Sequence, residues 1–253
     1  SLMKTADLKQ YRITGTINAN MSIIGIPINA NIPMDFRLKL NADNTVQSAY
    51  INLDVPYFIG VLQQDMTAKV YYEDGVLYFD RNWETSTGAL WWKEYYDHHE
   101  YMKCTIDEFM ANPMKYVYFC TNFTSMVENA INDAIAKSDQ KAVRTGNIMF
   151  EEALTGFYYN GSNQWNVNLD AAHLINNSDF SDQMSITVGK GSNGILNSIS
   201  LSTRVLDMIN LQLNNGQLVN ADKSNVDMSV IPTGLSSNPN YVFGEVKVVE
   251  TKK

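Results

Sequence analysis

The sequence contains few cysteines and few basic residues, and both shortages narrow the classes of protein that it can encode. Two cysteines in 253 residues cannot build a framework of disulfides. The chain has 19 Lys and Arg against 27 Asp and Glu, and the resulting net charge of −8 excludes a nucleic-acid binder with a basic face. Charged residues make up only 18% of the chain and hydrophobic residues 45%, which excludes disorder as the main state.

Long hydrophobic runs are also missing. No stretch approaches the ~18 consecutive apolar residues of a membrane-spanning helix. The first residues do not read as a secretory signal, and we expect a leader upstream of Ser1. A chain of this size buries roughly 70% of its surface on folding, so it needs neither a metal nor a disulfide to hold a core.

Alternation of apolar and polar residues is the strongest positive signal. Odd positions are apolar from 11 to 23, and after Ile24-Gly25 the even positions from 26 to 40 become the apolar set. A phase change of one residue moves side chains to the wrong face of a sheet, so the pattern predicts a chain reversal here. Pro27 and Pro33 cannot donate ladder hydrogen bonds and indicate an edge or a distorted strand.

The alternation continues through the first hundred residues and returns in the last hundred. Asparagine is frequent, with 28 residues against 14 glycines, and it supplies turns. Asp74-Gly75 and Asn160-Gly161 are typical hairpin turns. We therefore predict one antiparallel meander over 8–103 and a second over 146–253.

A helical layer over 104–145 is predicted between the meanders. Thr105-Ile106-Asp107-Glu108 reads as a capping box for a short helix that Pro113 interrupts. Residues 123–143 then carry apolar side chains at helical spacing, namely Phe123, Met126, Val127, Ala130, Ile131, Ala134 and Ile135. Such a stripe is suited to cover the apolar face of the sheet. No linker rich in Gly, Pro or Ser separates the parts, so we predict a single domain over 1–253.

Metal chemistry is the first catalytic possibility that the sequence raises. Asp97-His98-His99-Glu100 combines imidazole with carboxylate, but the ligands of a metal must converge on one point. Neighbours on a strand face opposite ways, so the run can converge only in a loop. We interpret it as a solvated strand end or loop and expect no metal site.

The sequence also offers little evidence for other kinds of catalytic site. Cys104 and Cys120 bracket the short helix, either as a bridged pair or, as we favour, as two ordinary thiols. The chain has no nucleophile elbow and no phosphate-binding loop that opens a helix. We expect no enzyme and no cofactor, with a hydrolase of dispersed site residues as a rival interpretation.

An aromatic zone is the last candidate feature. Aromatic side chains with a polar tip serve either in strand packing or at a binding surface, and both interpretations stay open here. The zone consists of Trp83, Trp91, Trp92, Tyr95, Tyr96 and Tyr101.

The order meander, helix, meander resembles the LolA-like superfamily, particularly the envelope lipoproteins of the LppX and LprG type. The likeness is carried by loose strand motifs, Tyr71-Tyr72-Glu73-Asp74-Gly75-Val76-Leu77-Tyr78, Trp91-Trp92-Lys93, Trp165-Asn166-Val167-Asn168-Leu169-Asp170 and Val226-Asp227-Met228-Ser229-Val230-Ile231-Pro232. The resemblance implies an α+β fold in which a large curved antiparallel β-sheet, a half-barrel, wraps around a central amphipathic helix.

The resemblance also implies a function. It indicates a non-enzymatic binding protein of the bacterial cell envelope that is extracellular and monomeric and holds a lipid or other apolar ligand between sheet and helix. A lipidated cysteine upstream of this chain would attach it peripherally to the membrane. The alternative is a structural or protein-interaction module with a filled core. The residues expected to line the cavity are Ile17, Met21, Ile28, Ile32, Phe36, Ile51 and Leu53 from the sheet, with Met126, Ile131 and Ile135 from the helix.

Overall fold

A computed structural model gives the architecture. It describes residues 9–23, 26–43, 45–59, 62–89, 91–112, 115–116, 154–161, 164–169, 184–190, 196–205, 209–219 and 226–253. The strands are β1 (Gln10–Ile23), β2 (Ile26–Leu40), β3 (Val46–Ile59), β4 (Leu62–Glu73), β5 (Val76–Ala89), β6 (Trp92–Thr105), β7 (Leu154–Gly161), β8 (Gln164–Leu169), β9 (Met184–Lys190), β10 (Leu196–Val205), β11 (Ile209–Val219) and β12 (Lys247–Lys252). One helix, α1 (Ile106–Ala111), follows β6, and a 3-10 helix spans Leu235–Ser237.

All twelve strands belong to one sheet with the order β12-β6-β5-β4-β3-β2-β1-β11-β10-β9-β8-β7. The pairings between these strands are antiparallel, which confirms the predicted sheet type. Strands β1–β6 form the first meander and β7–β11 the second, and the two meanders join where β1 pairs with β11. The predicted helix over 123–143 lies outside the described residues.

The chain reversal predicted near Ile24-Gly25 is confirmed. Ile23 pairs with Ile26, and the β1–β2 register runs from there to Gln10 and Lys39 without a shift. The β2–β3 register begins only at Met34, so the part of β2 that contains both prolines has a register with β1 alone. A strand tolerates proline where a neighbour is lacking on one side, which agrees with the expected edge or distorted strand.

The predicted hairpin turn and capping box are both present. Asp74 and Gly75 have φ angles of 48° and 80°, which suits a two-residue turn in which both central residues adopt positive φ. At the start of α1, the Glu108 amide donates to the Thr105 hydroxyl at 3.1 Å. The Thr105 amide donates to the Glu108 carboxylate at 2.7 Å, which completes the box.

The strand register separates an apolar face of the sheet from an opposite face. Side chains alternate between the two faces along a strand, so paired residues share a face. One row of the apolar face crosses β1 to β6 through Ile13, Phe36, Ile51, Val70, Phe79 and Met102. A row of the opposite face crosses the same strands through Arg12, Arg37, Tyr50, Tyr71, Tyr78 and Lys103.

A close-packed core lies on the apolar face of β2–β6. Met66, Phe79, Met102 and Cys104 are almost completely buried there. The Tyr116 ring stacks on Phe79 with 5.2 Å between ring centroids, so the chain that follows α1 covers this part of the face. Each large apolar side chain buried in this way contributes roughly 1.5–3 kcal/mol to folding.

The C-terminal region differs from the predicted second meander. Residues 226–246 cross to the first meander, where Leu235 and Tyr241 pack on the row of tyrosines on the opposite face. Tyr241 meets Tyr78 edge to face with 5.2 Å between ring centroids. Strand β12 then pairs with β6 and so extends the first meander. Alternation alone predicted strand for this region, and it could not reveal which strand the last residues pair with.

Candidate functional site

The strongest candidate site is the apolar face of the sheet, which contains the predicted ligand-binding positions. Register pairs Ile17 with Ile32, Met21 with Ile28 and Phe36 with Ile51, and Leu53 pairs with Met34. All seven predicted sheet positions therefore share one face. Three of them belong to or pack on the core described above, namely Ile17, Ile32 and Leu53. The predicted helix positions Met126, Ile131 and Ile135 lie outside the described residues.

The apolar face also continues into the second meander. From Ile32 and Ile17, a row of paired positions passes through Leu213, Leu201, Ile186 and Val167. These positions belong to six neighbouring strands, β2, β1, β11, β10, β9 and β8. Neighbouring strands lie about 4.8 Å apart, so the row is about 24 Å wide. The row therefore extends beyond the close-packed core on β2–β6 and into the second meander.

An ion pair on the apolar face was not predicted from the sequence. Arg81 and Glu100 pair between β5 and β6, and their side chains are only 11% and 14% exposed. The Arg81 guanidinium carbon also lies 5.9 Å from the centroid of the Trp83 ring. The sequence signal is a pair of opposite charges at facing positions of two strands. That signal becomes visible only when the pairing of β5 with β6 is known.

The two histidines occupy the middle of β6, which corrects the predicted strand end or loop. His98 stacks on Trp83 with 5.2 Å between ring centroids, and its Nδ1 lies 3.2 Å from a Glu250 oxygen. His99 stacks instead on Tyr101, with its Nδ1 3.7 Å from an Asp80 oxygen. The expectation that the two rings face opposite ways is confirmed. In the part of the chain that is described, no group of three or more His, Cys, Asp or Glu side chains could hold a metal ion.

A shallow depression lies at the point where the pairing of β4 with β5 stops. Its volume is about 220 Å³, and it is lined by Asp65, Thr67, Asn82, Trp83, Glu84, Asp97 and His99. Most of these residues belong to the opposite face. The Lys253 ammonium forms ion pairs with Glu84 and with Asp97, the latter at 2.8 Å, and thereby compensates two carboxylates at this rim. The depression is therefore polar, and its volume is below the ~300 Å³ at which ligand pockets begin.

Burial changes the pKa of Asp80, whose neighbour His99 lines this depression. Desolvation raises the pKa of Asp80, although His99 and Lys69 oppose the rise. The Asp80 and His99 atoms that face each other are buried and form no hydrogen bond. Their separation of 3.7 Å is longer than a hydrogen bond allows, so we describe the contact as electrostatic.

A charged cluster attaches the C-terminal region to the opposite face. The Asp35 carboxylate accepts hydrogen bonds from Arg12 at 2.9 Å and from Arg37 at 2.8 Å. Arg37, a buried residue, also donates to the Asp227 carbonyl oxygen at 2.6 Å. Burial would raise the pKa of Asp35, but the hydrogen bonds from Arg37 and Arg12 outweigh it and lower that pKa. Because the charged groups of this cluster are hydrogen-bonded to one another and to the C-terminal region, we interpret the cluster as structural.

Cys104 is a free, buried thiol. Burial raises its pKa to about 11, although a hydrogen bond with the Tyr116 side chain opposes the rise. A thiol with so high a pKa is mostly protonated near neutral pH and is a poor nucleophile. The interpretation of Cys104 as an ordinary thiol is therefore confirmed, whereas Cys120 lies outside the described residues.

The aromatic zone divides into two parts. Trp83, Tyr96 and Tyr101 are half-buried among their strand neighbours. In contrast, Trp91 is 85% exposed and Trp92 61% exposed, at the connection between β5 and β6, and Tyr95 nearby on β6 is 39% exposed. Strand packing accounts for the first group but not for the second.

Comparison of the chain with protein-family models, with curated proteins and with solved structures gives no match in any of the three. Within the described ranges, no helix has the length and the apolar content that crossing a membrane requires.

Proposed function

We propose that this protein is a non-enzymatic binding protein of the cell envelope that holds a lipid or another apolar ligand against the apolar face of its sheet. The observation that carries the proposal is the width of that face. Apolar positions are in register from β2 through β8, whereas the close-packed core lies on β2–β6. An apolar surface of this kind, when a helical layer closes over it, forms a dry space that accepts an acyl chain.

The proposed ligand space lies between the sheet and the predicted helix over 123–143, and the sheet curves around it as a half-barrel, as in the LolA-like proteins. The proposed location is the outer surface of a bacterial cell, with a lipid anchor upstream of this chain and a monomeric state.

A second candidate function is a structural or protein-interaction module with a filled core. The observation that favours it is the packing of β2–β6, where Tyr116 stacks on Phe79 and Met66 and Met102 are almost completely buried. Packing of this density leaves no room for a ligand at that position. The carrier function therefore needs the space over β1 and the second meander.

The test compares ligand uptake by two variants of neighbouring residues. Leu213→Trp places a bulky ring on the apolar face of β11, and Gln212→Trp places the same ring at the preceding residue, on the opposite face. The probe is a dansyl-labelled C11 fatty acid, titrated into delipidated protein and followed by its fluorescence. Circular dichroism and urea unfolding establish that both variants fold.

We expect saturable binding by the wild-type protein, an affinity at least tenfold weaker for Leu213→Trp and an affinity within twofold of wild type for Gln212→Trp. Native mass spectrometry of the freshly purified protein should show a bound lipid. The absence of both a co-purified lipid and saturable dye binding would overturn the carrier function in favour of the filled module. Equal losses in the two variants would also contradict the assignment of the site to the apolar face.

A further inference from the structure

Two rows of uncharged residues cross the opposite face of the sheet from β2 to β8. Paired positions on six neighbouring strands form the first row, which consists of Asn31, Asn18, Gln212, Ser202, Ser185 and Asn168. The second row lies two residues further along the strands and consists of Pro33, Thr16, Asn214, Ser200, Thr187 and Asn166. We call the surface formed by these twelve residues the amide face.

The amide face contains no charged residue, although much of it is exposed to solvent. Charged residues make up 18% of the whole chain, so twelve positions taken at random would contain about two of them, and exposed positions more. Eleven of the twelve residues carry an amide or a hydroxyl group instead, and Asn31, Gln212 and Asn214 are exposed, as are Ser202 and Ser185. Solubility does not explain this composition, because charged side chains ordinarily provide it.

The rest of the opposite face differs from the amide face in charge and in exposure. There, Arg12 and Arg37 form ion pairs with Asp35, and Lys103 lies in the row that holds the tyrosines. Residues 226–246 pack on those tyrosines. The protein therefore covers part of the charged region with its own chain, whereas the exposed residues of the amide face are accessible to a ligand.

Strand propensity makes the asparagines of the amide face unusual. Asparagine is depleted in β-strands, yet five of the twelve residues are asparagine, and Asn29 pairs with Asn20 in the row beyond them. Threonine would supply a polar group at these positions and suits a strand better. A residue type that strands disfavour, repeated on one face, therefore indicates a use for the amide group itself.

Cross-strand hydrogen bonds hold the polar groups of the amide face in fixed positions. Asn214 donates to Asn18, which donates to Asn31, so one chain of amides spans β11, β1 and β2. In the second meander, the Thr187 hydroxyl donates to the side-chain carbonyl oxygen of Asn166 at 3.0 Å. An amide has two donor hydrogens and two acceptor lone pairs, so a member of such a chain can also bond to a ligand. Because the side chains are already ordered, binding costs little further rotamer entropy.

The composition of the amide face excludes most classes of ligand. A nucleic acid or an anionic membrane requires basic side chains, and a divalent cation requires carboxylates. The centre of a protein interface is enriched in Tyr, Trp, Met and Arg, none of which is among the twelve residues. Sugar hydroxyls, in contrast, donate and accept hydrogen bonds at once, as amides do. We propose that the amide face is a binding surface for an uncharged polysaccharide, whose hydroxyl groups bond to the amides and hydroxyls of both rows.

The size of the amide face indicates that the ligand is an extended polymer and not a single sugar. Six neighbouring strands spaced about 4.8 Å apart give rows about 24 Å wide, and about 7 Å separates the two rows. A hydrogen bond contributes only about 0.5–1.5 kcal/mol net, so a monosaccharide that meets a few groups binds weakly. A polymer that meets successive groups along a row accumulates affinity. The inference stands apart from the proposed function, because it uses the other face of the sheet.

The test is native electrophoresis of the protein through gels that contain a soluble polysaccharide. The neutral probes are dextran, glucomannan, hydroxyethylcellulose and mixed-linkage β-glucan, and the anionic probe is polygalacturonate. The variants are Gln212→Ala and Gln212→Ala combined with Asn31→Ala, which remove exposed amides from the first row. The matched control is Gln47→Ala, which removes an exposed amide from β3, outside the amide face. Circular dichroism establishes that all variants fold.

We expect at least one neutral polysaccharide to retard the wild-type protein, whereas glucose at the same mass concentration should leave its mobility unchanged. The apparent dissociation constant should rise at least threefold in Gln212→Ala, at least tenfold in the double variant and less than 1.5-fold in Gln47→Ala. Mobility that no neutral polysaccharide changes, retardation by polygalacturonate alone, or equal losses with Gln47→Ala would overturn the proposal. So would a dimer in solution that dissociates in the double variant, since the occupant would then be a second copy.

The outcome can be read independently of the carrier function. Leu213→Trp, on the apolar face, should still be retarded by the polysaccharide, and the double alanine variant should still take up the dansyl fatty acid. A protein that binds the polysaccharide without taking up the dye would retain the amide face as a binding surface and lose the carrier function. The reverse result would leave the carrier function and remove the polysaccharide site.

Discussion

Replacement of Phe79 measures how firmly Tyr116 is packed on the apolar face of the sheet. Phe79 is 2% exposed and stacks on Tyr116, which together with Phe109 packs on this face. Phe→Ala in a core costs about 3–5 kcal/mol through lost transfer energy and the remaining cavity. Because a domain of this kind is stable by only about 5–15 kcal/mol, Phe79→Leu provides a milder second variant.

Urea unfolding monitored by tryptophan fluorescence gives the free energies, and the exposed Val248→Ala on β12 is the control, with an expected change below about 0.5 kcal/mol. A double-mutant cycle of Phe79→Leu with Tyr116→Leu should give a coupling of about 0.5–1.5 kcal/mol, the value for a stacked aromatic pair. A loss below about 1.5 kcal/mol in Phe79→Ala, or a coupling near zero, would refute the packing of residue 116 on the sheet and the closed core that rests on it.

Three further changes probe other parts of the structure. In a Cys120→Ser background, Cys104, whose pKa is about 11, should react with iodoacetamide at pH 8 more than about 100-fold more slowly than free cysteine; a comparable rate would contradict its burial. Asp35→Asn should cost roughly 1–2 kcal/mol at pH 7 and remove part of the acid sensitivity, because the lowered pKa of Asp35 gives stability that is present above pH ~4 and is lost on further acidification; an unchanged pH profile of unfolding would exclude this contribution. Leu235→Ala should cost about 2–5 kcal/mol in urea unfolding, against less than about 0.5 for the exposed Ser236→Ala, and equal effects would contradict the packing of residues 226–246 on the tyrosines.

Sequence periodicity was sufficient to predict the local parts of the fold. The phase change at Ile24-Gly25, the turn at Asp74-Gly75 and the capping box at Thr105 are all set by residues within a few positions of one another. The face shared by the predicted sheet positions also followed from alternation, because a period of two fixes the face once the strands pair. The function proposed for that face stays a prediction.

The pairing of strands that are far apart in the chain could not be predicted in the same way. Strand β12 pairs with β6 although about 140 residues separate them in the chain, and β1 pairs with β11 across about 200 residues. Alternating residues form a strand in any of several registers and next to any of several neighbours. The contact of His98 with Glu250 depends on the pairing of β12 with β6, so it appeared only in the structure. The ion pair of Arg81 with Glu100 depends instead on the register of the β5–β6 hairpin, which alternation also leaves open.

The asparagines have two roles in this fold, and only their role in turns was predicted from the sequence. Turn sequences account for some of the 28 asparagines. Others lie inside strands, where Asn214 donates to Asn18 and Asn18 donates to Asn31 across β11, β1 and β2. Amide side chains can donate and accept at once, so they form ladders across neighbouring strands. The polar half of the alternation therefore carries cross-strand bonds as well as solvation.

The prolines of the first meander lie where β2 and β3 no longer pair with each other. Pro27 and Pro33 lie in the part of β2 beyond the β2–β3 register, and Pro56 lies in the matching part of β3. A residue without an N–H cannot extend a ladder, so these positions oppose closure of the sheet between the two hairpins. Exposed strand edges invite pairing with other chains, and proline is one of the devices that prevent it. The three prolines therefore hinder pairing of these strand segments with each other and with other chains.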